Sequence, residues 1–192
     1  MFSHIPQNPP LRHAARFVLG CFVLIAIALA GTGCRHQPKI DIPQMDKVDE
    51  QFVYAMQQLK EYQRTPAKAP NHKERADVTI ASFQKVIDAF PDERLQVGRA
   101  RLGIAMIRNQ EGDYHRALDI LNDLIENHTD DEVVQVNGMF EAAGILDRLG
   151  RFDEAKTYYR KIADGYAASQ DPSFAEMAYR SRMLYNKVRR TP

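Results

Sequence analysis

Few residues in this chain are able to do chemistry, and their spacing argues against a reaction centre. There are six histidines, but no His-Glu-x-x-His pair to set two imidazoles on one helix face around zinc. The densest group of candidate ligands is His128 with Asp130, Asp131 and Glu132. It falls at a turn between two helical segments, where such residues serve as solvated helix caps. Asp119, Asp123 and Glu126 recur at helical spacing. Acid–base work needs carboxylates in contrasting environments, whereas these three share one polar face and read as its solvated side. No Gly-x-Ser-x-Gly elbow and no phosphate-binding loop is present. The sequence therefore predicts no catalytic residue, no metal site and no cofactor.

The two cysteines, Cys21 and Cys34, both lie in or at the edge of an N-terminal apolar segment. The remainder has no thiol, which excludes an internal disulfide and a cysteine-based metal site there. Arg12 and Arg16 precede an apolar run from Phe17 to Ala30, 14 residues long, against the roughly 20 required to span a hydrocarbon core. A basic stretch, a short apolar stretch and small residues in succession are the pattern of a secretory signal peptide. The run closes on Gly31-Thr32-Gly33-Cys34 and passes at once into polar sequence. This resembles the lipobox of bacterial lipoproteins, in which the cysteine is diacylated and becomes the new N-terminus. Gly33 and Thr32 match that pattern, and Gly31 stands where a larger apolar residue is usual. The expected organisation is a signal peptide over 1–33, lipid attachment at Cys34 and a polar tether over 34–45. An uncleaved inner-membrane anchor and an ordinary cleavage are the alternatives. Arg35 follows the cysteine in place of the aspartate that marks inner-membrane retention in some sorting systems. By that resemblance the outer membrane is favoured over the inner.

Beyond residue 33 the chain has 159 residues, with 24 basic against 25 acidic side chains. That length suits one domain able to bury about two-thirds of its unfolded surface without a staple. The near-neutral balance gives no basic face for nucleic acid. Only the end is biased, with Arg180, Arg182, Lys187, Arg189 and Arg190. Cations favoured by a helix C-terminus explain this, and a contact with anionic lipid or polymer is the sharper alternative.

Folding must come from a repeat. "EGDYHRALDILNDLI" from Glu111 aligns without gaps on "LGRFDEAKTYYRKIA" from Leu149. Gly112 matches Gly150, Tyr114 matches Phe152, Ala117 matches Ala155 and Leu121 matches Tyr159, all 38 residues apart. One period earlier stand Thr79, Phe83 and Val86. The glycines fall where a helix ends and the chain reverses, a position that favours positive φ. The alanines allow close helix approach, and the large residue one turn on fills the next layer. Each hairpin leaves an apolar face that only a neighbour can cover, so the units stack.

This pattern of Gly112-x-Tyr114-x-x-Ala117-x-x-x-Leu121, repeated at Gly150, resembles the tetratricopeptide (TPR) family over roughly residues 46–190. The period exceeds the usual ~34, and the first unit carries an insertion from Thr65 to Lys73. Combined with the lipobox, the chain is similar to periplasmic tetratricopeptide lipoproteins of envelope assembly and to the membrane-anchored ancillary subunit of the secretion channel. The resemblance implies an all-α fold, an α-solenoid of about three helical hairpins plus a C-terminal helix, occupying 46–192. Helices are expected near 46–64, 74–90, 94–110, 113–127, 131–149, 151–168 and 172–189, with Asp113, Asp130 or Asp131, and Asp171-Pro172 as start signals.

In that family the first helices of successive hairpins line a groove for a partner peptide or helix. Carried onto this chain, the groove positions are Arg99, Leu102, Met106, Asn109, Asn137, Phe140 and Arg148. Amides can pair with peptide backbone, arginines with carboxylates, and methionine adapts its shape. Leu102, Met106 and Phe140 fit a core position equally well. The expected function is a non-catalytic, lipid-anchored adaptor or scaffold for an envelope protein complex. The alternative is a self-assembling envelope component joined through its last helix, where Tyr179, Met183 and Tyr185 could form an adhesive edge. A small-ligand or enzymatic role ranks last.

Overall fold

The computed structural model describes residues 40–127 and 131–188. Cys34 and the expected signal peptide lie outside them, as do His128 and Asp130. Among the described residues seven helices follow one another: α1 Val48–Arg64, α2 His72–Ala89, α3 Arg94–Gln110, α4 Tyr114–Asn127, α5 Glu132–Arg148, α6 Phe152–Gly165 and α7 Pro172–Val188. No strand occurs among the described residues. None of these helices is long and apolar enough to cross a membrane.

Helices begin and end where the local chemistry dictates. Gly112 and Gly150 have φ of +80° and +74°. At the first, the Gly112 N–H reaches Asn109 O and the Asp113 N–H reaches Arg108 O. At the second, the Gly150 N–H reaches Asp147 O and the Arg151 N–H reaches Leu146 O. Both are Schellman closures, which satisfy the last helical carbonyls. The Asp131 carboxylate caps α5 by accepting from Val133 N and Val134 N. Asp171 opens α7 by accepting from the Ser173 amide and hydroxyl, and those bonds hold its carboxyl below the ordinary range. Asp113 instead turns its carboxylate to Arg108 and Arg116.

Two boundaries differ from the sequence expectation. Helix α2 starts inside the insertion, at His72, because the Pro66–Ala69 turn and the Ala69–His72 turn already bend the chain into helical hydrogen bonding. Helix α6 ends at Gly165, and Tyr166 then stacks on Phe174 of α7 with ring centroids 5.1 Å apart.

Consecutive helices pack along the whole series, and α1 also touches α3, α3 touches α5 and α5 touches α7. Among the described residues no two even-numbered helices pack backbone against backbone in this way, and α4 and α6 meet through a side-chain hydrogen bond from the Tyr158 hydroxyl to Asn122 Oδ1 at 3.4 Å. The odd-numbered helices therefore form one continuous layer and the even-numbered ones a splayed second layer, so the odd-helix side is the tighter side.

The repeat positions form the core. Ala117, Ala155, Leu121, Phe83, Val86 and Tyr159 are all buried. Thr79 holds the slot that alanine fills in the later units, and its hydroxyl donates to Arg75 O within α2 and to Gln58 O of α1. Gly103 allows α2 and α3 to close, since a Cβ there would lie 2.8 Å from the Phe83 ring. One cluster joins α1 to α3 around Tyr62, Phe83 and Ile107, and a second joins α3 to α7 around Leu121, Met139 and Ile145. Ile120 packs against both, so the two clusters are continuous. Ahead of α1, the buried Gln51 side chain accepts from Met45 N and donates to Pro43 O. Those bonds fix the entering chain against the first helix.

Candidate protein-binding face

Arg99, Leu102, Met106 and Asn109 recur at intervals of three and four along α3, and on α5 Asn137 and Phe140 are three apart with Arg148 eight residues further on. Such spacing places the α3 set on one stripe and Asn137 and Arg148 on another, with Phe140 at its edge, and the α3–α5 contact brings the stripes together. Arg148 donates to Asn109 Oδ1 at 2.6 Å, and Asn109 Nδ2 donates to Glu141 Oε2 at 3.0 Å. The amide thus bridges a cation and an anion on neighbouring helices. Nearer the other end of the face, Arg99 Nε pairs with Asp131 Oδ2 at 3.1 Å. That aspartate is also the α5 cap, so one carboxylate serves a helix start and an inter-helix tie.

The remaining candidates divide. Asn137 turns back to its own helix, donating to Val133 O. Leu102 and Phe140 are half-buried against the second core cluster, and Met106 is half-buried beside them. Phe140 meets Tyr159 edge-on at 6.0 Å, and the Arg180 guanidinium lies 5.0 Å from its ring centre. Burial, with the Asp147 charge adding to it, pushes the Tyr159 phenol up to about 12. This aromatic pair underlies the face and α7 covers part of it through Arg180.

Glu141 and Arg180 belong to the face and escaped the sequence reading. Glu141 was legible, because 137, 141, 144 and 148 continue the α5 stripe at helical spacing. Arg180 was not, because nothing local places α7 over Phe140.

A second polar tie joins the first hairpin to the second. The buried Tyr62 hydroxyl donates to Glu111 Oε1 at 2.8 Å, and His72 Nε2 lies 3.0 Å from the same oxygen. His72 Nδ1 faces Thr65 O at 3.1 Å. Burial and the Glu111 carboxylate together raise the Tyr62 phenol far above its ordinary range. The insertion is thereby pinned to the end of α3.

No group of three or more His, Cys, Asp or Glu side chains is placed to hold a metal ion among the described residues. Asp119, Asp123 and Glu126 are exposed on α4, and Asp123 pairs with Arg101 of α3.

The face supplies amide and guanidinium donors, the carboxylates of Asp131 and Glu141, and half-exposed apolar surface along a continuous layer of helices. That set fits an extended or helical polypeptide better than a small molecule, because it is spread along helices and not gathered in a cleft. Comparison with curated proteins and with solved structures gives no match. The family model described as "Tetratricopeptide repeat" matches residues 99–131 and 138–169, most of α3–α4 and of α5–α6. Those two segments are thus similar to tetratricopeptide repeats and lie in an all-α helical-repeat fold, and repeats of that kind are typically protein-interaction modules and not enzymes.

Proposed function

We propose that this protein is a lipid-anchored adaptor of the cell envelope, held through Cys34 on the periplasmic side with the outer membrane favoured. Its odd-helix face would dock a segment of another envelope protein. The observation that carries the reading is the Arg148–Asn109–Glu141 bridge. It pre-orders polar groups at the α3–α5 seam, while exposed Arg148 keeps guanidinium N–H donors for a partner carboxylate or backbone carbonyl. Rigid, pre-ordered groups lose less entropy on binding. For the anchor, two acyl chains on one cysteine supply the hydrophobic burial that stable membrane attachment requires.

Two substitutions in the full chain test the parts separately. Cys34→Ala should move the protein from the membrane fraction to the soluble fraction, and unchanged membrane retention would refute the lipid anchor. Arg99→Ala with Arg148→Ala should release a co-purifying envelope protein that Lys161→Ala, on α6, retains. Equal retention in both would refute the odd-helix face.

Self-association through α7 is a second reading, favoured by Tyr179 and Met183, which are 62% and 57% exposed at the end of the series.

A further inference from the structure

Among the described residues, both ends of the helix series carry an uncovered helix. No helix precedes α1 and none follows α7 among the described residues. On α1 the outward stripe runs Asp49, Val53, Gln57, Lys60, with steps of four, four and three; all four are exposed, Val53 at 54%, and Asp49, on the flank towards α3, accepts from Gln96 Nε2 at 3.0 Å through one oxygen. Shallow depressions beside it are lined by Met45, Glu50 and Tyr54 and by Met56, Leu59 and Gln63. On α7 the outward stripe runs Glu176, Tyr179, Met183, Lys187, with steps of three, four and four, and again all four are exposed.

The two sequences of steps are mirror images. Laid antiparallel, as successive helices in this fold already are, one register brings Asp49 to Lys187, Val53 to Met183, Gln57 to Tyr179 and Lys60 to Glu176. Both end pairs join opposite charges and the apolar residues meet in the middle. A parallel arrangement would set Lys60 against Lys187 and Asp49 against Glu176. On α1 an antiparallel self-pairing that joins Asp49 to Lys60 twice also sets Val53 against Met56, and it would leave α7 uncovered; α7 has no self-pairing register that does as well as its pairing with α1. For α7 on α7, the register that joins Glu176 to Lys187 takes Tyr179 out of line with Met183.

We infer that the occupant of the uncovered α7 face is α1 of a second copy of this chain, giving a head-to-tail stack that continues the helix series. The inference rests on the self-association reading and supplies its missing half, the surface that α7 meets. The arrangement is heterologous, so it extends along a row and does not close on a dimer. It leaves the odd-helix face of each copy open. A single helix pair is small beside the ~1,000 Å² of a stable interface, so the stack depends on copies being held at high local concentration.

Site-specific crosslinking of the full chain in cells tests this. Two differently tagged copies are co-expressed, one carrying Val53→Cys and the other Met183→Cys, and treated with a mild thiol oxidant. The wild-type pair sets the background from Cys21 and Cys34. The expected result is a disulfide-linked product containing both tags, lost when the second copy also carries Lys187→Glu and regained when the first also carries Asp49→Lys. A product between two Met183→Cys copies alone would overturn the α1–α7 pairing and leave self-association through α7 standing. No product above background would overturn both.

Discussion

Between α1 and α2 the chain reverses through Thr65–Asn71, whereas between α3 and α4 and between α5 and α6 it reverses through three residues centred on Gly112 and Gly150. The glycine turns are self-sufficient. Positive φ and two backbone bonds close each helix, and nothing within 4 Å crowds either glycine. The first turn has no residue at positive φ. It is held by side chains: Thr65 Oγ1 donates to Glu61 O, His72 faces Thr65 O, and Glu111 arrives from the next hairpin. A turn without the glycine closure thus depends on the unit beside it. The second and third hairpins carry their own turn chemistry, and the first borrows part of its own.

The largest disruption should come where the first hairpin meets the second. Phe83→Ala empties a buried site and should cost about 3–5 kcal/mol in denaturant unfolding. Gly103→Ala drives a Cβ into that same ring and should cost about 1–3 kcal/mol, less in a Phe83→Leu background.

Glu111→Ala sharpens the comparison. It strands the buried Tyr62 hydroxyl, at about 1–3 kcal/mol, and should speed hydrogen exchange in α1 and α2 while α5 and α6 keep their protection. Gly112→Ala or Gly150→Ala should cost about 1–2 kcal/mol each, from the left-handed conformation alone. The two should add, because the turns share no partner. Ala69→Gly in the first turn should change stability by less than either.

A smaller effect is expected at high pH. Tyr159 has a folded pKa near 12 against an ordinary 10.0. Between those values the unfolded phenol ionises while the folded one keeps its proton. The Tyr159 contribution to stability should therefore be complete below about pH 10 and fall as pH rises towards 12, by at most about 1.4 kcal/mol per pH unit, and the raised Tyr62 phenol adds a fall of the same sign. Tyr159→Phe should flatten that fall. The smallest effect belongs to Arg99→Ala, whose exposed pair contributes under about 1 kcal/mol.

The helices and their repeat were legible because their punctuation is local. Gly112, Gly150, Asp131 and Asp171 each act within a few residues of themselves, and the 38-residue period exposed Ala117, Ala155, Leu121 and Tyr159 as core. The start of α2 was not legible, since the turns that begin it lie inside an insertion with no counterpart in the other units. The groove positions came from a family pattern, and what they touch could not be read. Asn109 meets residues 32 and 39 positions away, and Tyr62 meets one 49 positions away. Such pairs depend on how hairpins stack, which no local signal encodes. Helical periodicity places Glu141 beside Asn137 and Arg148, yet only the packing of α3 on α5 shows that it completes the bridge.

The most direct test of the odd-helix face is photo-crosslinking in cells, with a photoreactive residue replacing Asn137, which lies on the α5 stripe outside the Arg148–Asn109–Glu141 bridge, in one strain and Lys161 in another. The expected result is a discrete adduct with a foreign envelope protein at 137 that is absent at 161. Identical adducts at both positions, or none at 137, would contradict the odd-helix face.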